Sequence, residues 1–404
     1  MSILILGGGA SGLAAAISAA QRGAEVCVCE RAARVGRKIL ASGNGRCNVS
    51  NQAVAPEAYH GDPAFLRAVF DALPPREARA FLEALGLVFA MEDGRLYPYS
   101  FTAASALDAL RMALEREHIR VEYDRCAVRI QPSRKGGFSV SFADGSAARA
   151  DTLVCAMGGK AAPHLGTDGS GLALLRELGH SVTPLYPALV QLRCRHAALK
   201  GLKGVRVRAQ LTLSMSRSGE VQETGELLFT DYGVSGVAVF QLSRHAAHAL
   251  GRGEEVTLFL NLWPELTVEM LRRRAALFGA QPAEALFTGV FHRLVAQAVV
   301  RQACVEAISC AALSSAQLQA LLRAAQGFAL PVTGTQSFEQ AQVTSGGVST
   351  AEIDPRTFES RLYPGLYIVG ESVDVDGPCG GFNLHFAFTS GILAGRAASE
   401  RSKA

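Results

Sequence analysis

Residues 2–30 read SILILGGGASGLAAAISAAQRGAEVCVCE, and this stretch decides the fold. Residues 2–6 form a short apolar run of the kind that is buried on both faces of a parallel sheet. Residues 7–12 make a glycine-rich turn, residues 13–22 are alanine-rich and helical, and Gly23 ends the helix. Residues 25–30 carry Val26 and Val28 on a second strand. A complete strand–helix–strand unit is therefore written into the first ~30 residues. The apolar run from residue 3 to 20 imitates a signal peptide or a membrane helix, but three consecutive glycines interrupt it and no basic segment precedes it.

Gly7-Gly8-Gly9-Ala10-Ser11-Gly12 fits the pattern G-x-G-x-x-G, and Ala16 adds a small residue where helix and sheet approach. In this motif the first glycine permits the tight turn, the second leaves room for a pyrophosphate, and the third allows close helix–strand contact. Unpaired N–H groups at the helix N-terminus and the helix dipole favour an anion there. The motif alone is weak, but here it follows a strand, opens a helix, and is followed by Glu30 at the end of the next strand. A carboxylate at that spacing can accept hydrogen bonds from ribose hydroxyls and repels a ribose phosphate. The expected ligand is FAD or NAD rather than NADP.

Bulk properties narrow the field further. A chain of 404 residues suggests two or three domains, and 49% apolar with 19% charged residues is globular. Net charge is +4, and no basic run is longer than Arg272-Arg273-Arg274, which reads as a solvated helix face. Nucleic-acid binding needs clustered cations and is not expected. No second long apolar run exists, so no membrane span is expected. The nine cysteines include no C-x-x-C pair, which argues against a disulfide framework, a zinc site and a dithiol reductase. Cys27 and Cys29 alternate on a strand and read as buried. A reducing cytoplasm fits this usage.

The order of elements points to a discontinuous domain. Helical patterns fall at residues 63–72, 75–85 and 102–117, strands at 120–130, 138–142 and 152–157, and a helix at 171–178. From residue 186 the texture changes to alternating, β-branched runs at 190–194, 205–213, 221–229 and 256–260, with turns at 217–219 and 224–225. Residues 264–278 and 282–322 then read as strongly helical. The last 70 residues return to the opening texture, with a strand at 365–369, a glycine-rich loop and a helix from 383 to 399. The expected fold is α/β: a Rossmann-type domain from residues 1–188 and 333–404, an inserted antiparallel barrel-like domain at 189–262, and a helical insertion at 263–332.

Two further constellations bear on the ligand. Gly36-Arg37-Lys38 with Ser42-Gly43-Asn44-Gly45-Arg46-Cys47-Asn48 can cradle phosphates or contact a flavin ring, although on its own this stretch reads equally well as a polar surface loop. Gly370-Glu371 after a strand, with Gly377-Pro378-Cys379-Gly380-Gly381-Phe382-Asn383 before a helix, can cap the far end of a long cofactor. Alone it is a loop and a helix cap; paired with the first motif at the opposite chain end it favours FAD over NAD. Gly166-Thr167-Asp168-Gly169-Ser170-Gly171 is glycine-rich but has the wrong spacing for a second nucleotide fingerprint.

The chain resembles the BaiN-like family of FAD-binding oxidoreductases, which includes aminoacetone oxidases and dehydro-bile-acid reductases. The matching stretches are GGGASGLAAA, GRKILASGNGRCNVSN, GRLYPYS, LVCAMGGKAAP with GTDGSG, GELLFTDYGVSG, AQVTSGGVS and GLYIVGESVDVDGPCGGFNLHFAFTSGILAG, in that order over nearly the whole chain. The resemblance implies FAD contacts at Gly7, Gly9, Ala10, Ser11, Gly12, Glu30, Arg31, Lys38, Gly43 and Asn48. It implies an adenine side at Ala127 or Val128, Ala156 and Gly158, and a flavin end at Gly370, Glu371, Gly381, Asn383 and Leu384. Two departures stand out: Cys155-Ala156-Met157-Gly158 replaces an Ala-Thr-Gly run, and His385 stands where glutamine is common.

The resemblance also implies hydride transfer between flavin and an activated C=C or C–H bond of a hydrophobic small molecule, with the apolar insertion as a lid. NAD(P)H is a candidate transient electron donor. Tyr97, Tyr99, Arg46 and His385 are proton-donor candidates by residue type, and none is assigned as catalytic. Two alternatives remain open: an amine or aminoketone oxidase that returns electrons to oxygen, and a flavin-binding module that contacts a partner without turnover.

Overall fold

A computed structural model describes residues 2–133, 136–195 and 199–402. The chain forms two compact units, one from residues 1–185 and 343–404 and the other from residues 186–342.

The first unit is organised by a five-stranded parallel sheet. Its spatial order is Leu366–Ile368, Thr152–Cys155, Ser2–Leu6, Glu25–Cys29, Arg120–Glu122. Ile3, Ile5, Val28, Val154 and Ile368 are almost wholly buried, as strands covered on both faces must be. Leu6 pairs with Cys155 on one side and Cys29 on the other, so three strands end level with the glycine turn. This carboxyl edge is where open α/β sheets bind ligands.

Two helices cover one another beside that edge. The Ala10–Ala20 helix opens directly from the turn, and Phe382–Arg401 packs along it. The close approach depends on Gly391 and Gly395. A Cβ at Gly391 would lie 2.2 Å from the Ser11 carbonyl oxygen, and one at Gly395 would lie 2.3 Å from that of Ala15. Backbone of the first helix stands where those side chains would be, which is why the last helix needs this small-residue spacing.

Two antiparallel sheets flank this core. Strands Ser50–Asn51, Arg95–Pro98 and Phe89–Glu92 form one; Ala127–Pro132, Phe138–Phe142 and Ala147–Ala150 form the other. Residues 120–130 are thus not one strand, as expected, but two in different sheets. The break falls at residues 123–126, where Asp124 adopts φ 57°.

The second unit is a closed six-stranded barrel in the order Leu192–Cys194, Gly233–Ser235, Gly219–Phe229, Arg206–Met215, Val256–Asn261, Phe328–Thr335. Its strand Gly219–Phe229 runs straight through the turn expected at 224–225: Gly225 stays in register opposite Ala209. A Cβ at Gly225 would sit 3.1 Å from Ala238, so this glycine makes room for a helix and does not turn the chain. That helix, Val237–Gly251, lies within the expected barrel-like domain, between strands, where no helix was expected. The last barrel strand comes from residues 328–335, beyond most of the helical stretch. The strongly helical stretch at 282–322 consists of Ala283–Phe287, Arg293–Gln302, Cys310–Ala312 and Ser315–Gln326, the last opened by a Ser314–Gln317 capping box. Barrel and helices share one hydrophobic cluster that includes Leu211, Leu258, Phe287, Val299 and Phe328.

Among the described residues no helix is long and apolar enough to cross a membrane, and no group of acidic, histidine or cysteine side chains is arranged to hold a metal ion.

Candidate nucleotide and flavin site

The site is built outward from the glycine turn. Gly7 has φ 106°, a left-handed conformation that its lack of a Cβ permits. A Cβ at Gly12 would lie 1.9 Å from the Gly7 carbonyl oxygen, so the helix starts in contact with the turn that precedes it. Gly9 is different: a Cβ there would meet nothing within 4 Å, which leaves open space in front of the helix. Ala10, Ser11 and Gly12 are buried, yet the helix has no side-chain cap and no acidic residue in its first turn. Uncapped N–H groups facing open space fit a phosphate.

Glu30 closes the other side of the turn. One carboxylate oxygen accepts from the Gly8 N–H at 2.7 Å and the other from the Ala32 N–H at 2.8 Å. Each oxygen keeps a lone pair for a further donor, such as a ribose hydroxyl. The two N–H donors fix the carboxylate in place. A dinucleotide with unphosphorylated ribose therefore fits the residues present.

Three of the four cations between residues 31 and 38 reach the 161–170 loop. Arg31 pairs with Asp168 at 2.9 Å, and Arg37 donates to the His164 carbonyl at 2.8 Å. Lys38 pairs with Glu371 at 2.5 Å and lies 3.4 Å from the Ala161 carbonyl. Burial raises the Asp168 pKa, but the Ser170 hydroxyl and N–H and the Arg31 guanidinium outweigh it and bring the carboxyl down to about 2. Glu371 also accepts from the Thr344 N–H at 2.7 Å. The Thr344 hydroxyl in turn accepts from the Lys160 and Ala161 N–H groups at 2.7 and 2.9 Å.

The far end of the site gathers around the last helix. Gly43 has φ 57° and lies against the Asn48 N–H; the Asn48 side-chain oxygen is buried without a donor, 2.7 Å from where a Cβ on Gly381 would stand. The Asn383 side chain spans its own loop, accepting from the Gly377 N–H and donating to the Gly377 carbonyl, both at 2.8 Å. It braces the turn that Gly381 ends. Leu384 is half-buried against the core.

The expected adenine-side residues are less tightly grouped. Ala156 donates to the Leu6 carbonyl at 2.9 Å, and its own carbonyl oxygen lies against Gly7. The Gly158 carbonyl accepts from the Ser372 hydroxyl. Ala127 is half-buried, whereas the Val128 side chain is exposed on the separate three-stranded sheet.

The four proton-donor candidates differ sharply. His385 is buried among Phe70 and Phe386, and burial pushes its pKa down to about 4. Its Nδ1 meets the Ser50 hydroxyl at 2.8 Å, while Nε2 is shut away without a partner. Burial therefore favours its neutral form near neutral pH. Tyr97 is buried beneath the Arg46 guanidinium, which lies 4.5 Å above its ring, and Tyr99 is 70% exposed. Ser50, Thr344, Asp168 and Ser390 join the network although the sequence reading did not single them out as site residues. All four lay within quoted stretches, but nothing in the sequence distinguished them from their neighbours.

Geometry of this kind defines a dinucleotide-binding protein of the Rossmann type. Residues 1–397 match the family described as "HI0933-like protein Rossmann domain", and the chain belongs to that family as a BaiN-like flavoprotein oxidoreductase. It is 40% identical over 98% of both chains to the 3-dehydro-bile acid delta(4,6)-reductase of Clostridium scindens. It is 30% identical to the ribosomal RNA dihydrouridine synthase of Escherichia coli, over 96% of this chain and 95% of that one. The solved 3-ketosteroid-delta4-(5alpha)-dehydrogenase of Rhodococcus jostii shares the fold, with a TM-score of 0.50 at 16% identity over 98% of this chain and 96% of the other.

Proposed function

We propose that the protein is an FAD-dependent reductase of a C=C bond conjugated to a carbonyl, acting on a hydrophobic small molecule with NAD(P)H as transient electron donor. The observation that carries this reading is the 40% identity across 98% of both chains to an enzyme named for reduction of C=C bonds. When bound, FAD supplies the hydride.

The remaining work falls to side chains and backbone of the first unit. The N–H groups of Ala10, Ser11 and Gly12, opened by Gly7 and Gly9, hold the pyrophosphate, and Glu30 holds the adenosine ribose. Arg31, fixed by Asp168, closes the adenine side with Ala127, Val128, Ala156 and Gly158. Lys38, Gly43, Asn48, Gly370, Glu371, Gly381, Asn383 and Leu384 line the flavin end. Glu371 holds Lys38 in place, and the N-terminus of Phe382–Arg401 would bring positive potential to a bound flavin.

The test is a pair of anaerobic incubations of the flavin-loaded protein with NADH or NADPH, one with a 3-keto-4-ene steroid and one with unmodified ribosomal RNA. A gain of two hydrogens in the steroid supports the proposal. The full-length likeness to the dihydrouridine synthase favours a second reading, reduction of uracil in RNA, and a gain of two hydrogens in uridine alone would replace the first.

A further inference from the structure

The small antiparallel sheet of the first unit has one face that the cofactor reading leaves unused. Its register sets Ala90 opposite Tyr97 and Glu92 opposite Arg95, so these four side chains share a face. The Tyr99 N–H donates to the Val88 carbonyl at 2.8 Å and carries the same face one step further. Val88 and Tyr99 are 65% and 70% exposed.

Arg46 comes onto this face from the 42–48 turn. Its guanidinium lies 4.5 Å from the centre of the Tyr97 ring and 4.7 Å from that of Phe101, and it pairs with Glu92 at 2.5 Å. Stacking on two rings holds the planar fork in one orientation. Arg95 sits beside the loop before the last helix, its Nε 3.6 Å from where a Cβ on Gly380 would stand, and it makes no ion pair among the described residues. Two guanidinium groups thus face one carboxylate. The Tyr97 ring edge is 4.0 Å from the Cβ position of Gly43, so this face borders the flavin-end turn.

We infer that this face binds the anionic end of the substrate, a single carboxylate on an otherwise apolar unsaturated ketone. The apolar body covers Val88 and Tyr99, and the carboxylate takes the place of Glu92 on Arg46 with Arg95 as second donor. Arg46 and Glu92 are 42% and 50% exposed, and an exposed pair of that kind contributes little, so exchanging its partner costs little. One uncompensated charge suits one carboxylate; a polyanion such as RNA would require a longer run of cations. The inference rests on the proposed reductase for the nature of the ligand, but its test does not depend on turnover.

The test measures binding to the flavin-loaded protein by calorimetry, with a saturated steroid carboxylic acid and its methyl ester as probes. The acid is expected to bind at least about tenfold tighter than the ester, with Arg46→Gln and Arg95→Gln each removing most of that margin and Arg46→Lys restoring part of it. Thermal unfolding of each variant separates misfolding from loss of the anion contact. Equal binding of acid and ester, no binding of either, or a margin untouched in correctly folded Arg46→Gln and Arg95→Gln overturns the inference. Weakened RNA retention in these variants with acid binding unchanged overturns it too. Failure of the reductase reading shows separately, as acid binding without reduction of the unsaturated acid.

Discussion

Ser11 and Gly370, 359 positions apart in sequence, meet where the chain's two ends close the sheet: a Cβ on Gly370 would stand 2.5 Å from the Ser11 hydroxyl oxygen. Gly370 has φ 66°, and its N–H donates to the Ser390 hydroxyl at 3.0 Å. The turn after the last strand is therefore locked to both helices that begin at the site. A small displacement there moves the pyrophosphate cradle and the flavin end together.

Replacing Gly391 with alanine tests this lock. The new methyl would be forced against the Ser11 carbonyl, which belongs to a helix backbone and cannot swing aside. Overpacking of this type costs about 1–3 kcal/mol, so a lower Tm in calorimetry is expected together with weaker FAD retention. An unchanged Tm would show that the helices are not held by this contact.

Glu30→Gln places an amide NH2 where one of two backbone N–H groups now finds an acceptor. Leaving a donor facing a donor costs about 1–3 kcal/mol. FAD affinity, read by quenching of flavin fluorescence, is expected to fall by roughly tenfold or more. Full affinity in the variant would remove Glu30 from the cofactor site.

The opening unit was legible because its signals are local. Strand, glycine turn, helix and Glu30 lie within 30 residues, and the observed Ser2–Leu6, Ala10–Ala20 and Glu25–Cys29 follow them closely. What escaped was set by tertiary contact. Val237–Gly251 carries β-branched and aromatic residues at its start, and becomes a helix because it packs against the barrel strand at Gly225 and Ala238. The pairings of Lys38 with Glu371 and Arg31 with Asp168 join residues 333 and 137 positions apart, and spacing along a sequence does not encode them. The sheet made by Ser50–Asn51, Phe89–Glu92 and Arg95–Pro98 consists of strands too short to show a period.

His385 makes stability depend on acid. Its pKa is about 4 in the fold against an ordinary value of 6.5, so between these pH values the unfolded chain binds the extra proton. The contribution is complete above about pH 6.5 and is lost as pH falls toward 4, at most about 3 kcal/mol. Denaturant unfolding from pH 7 to 4 should show a shallower loss in His385→Gln than in the parent protein. Parallel curves would contradict a buried neutral imidazole.

Lys38 and Glu371 should behave as a unit. Their side chains are 29% and 19% exposed, so removing one leaves a largely enclosed charge without its partner. In a double-mutant cycle with Lys38→Met and Glu371→Gln, the coupling energy for FAD binding is expected to be about 1 kcal/mol or more. Additive effects would mean that the two groups meet the cofactor independently.

An anaerobic titration of the purified protein is the most direct test. The protein is expected to be yellow, with a main visible flavin band that bleaches with NADH or NADPH and returns when a conjugated steroid enone is added. A colourless protein that cannot be reconstituted with FAD, or a reduced flavin that no C=C acceptor reoxidises while oxygen does, would contradict the proposed function.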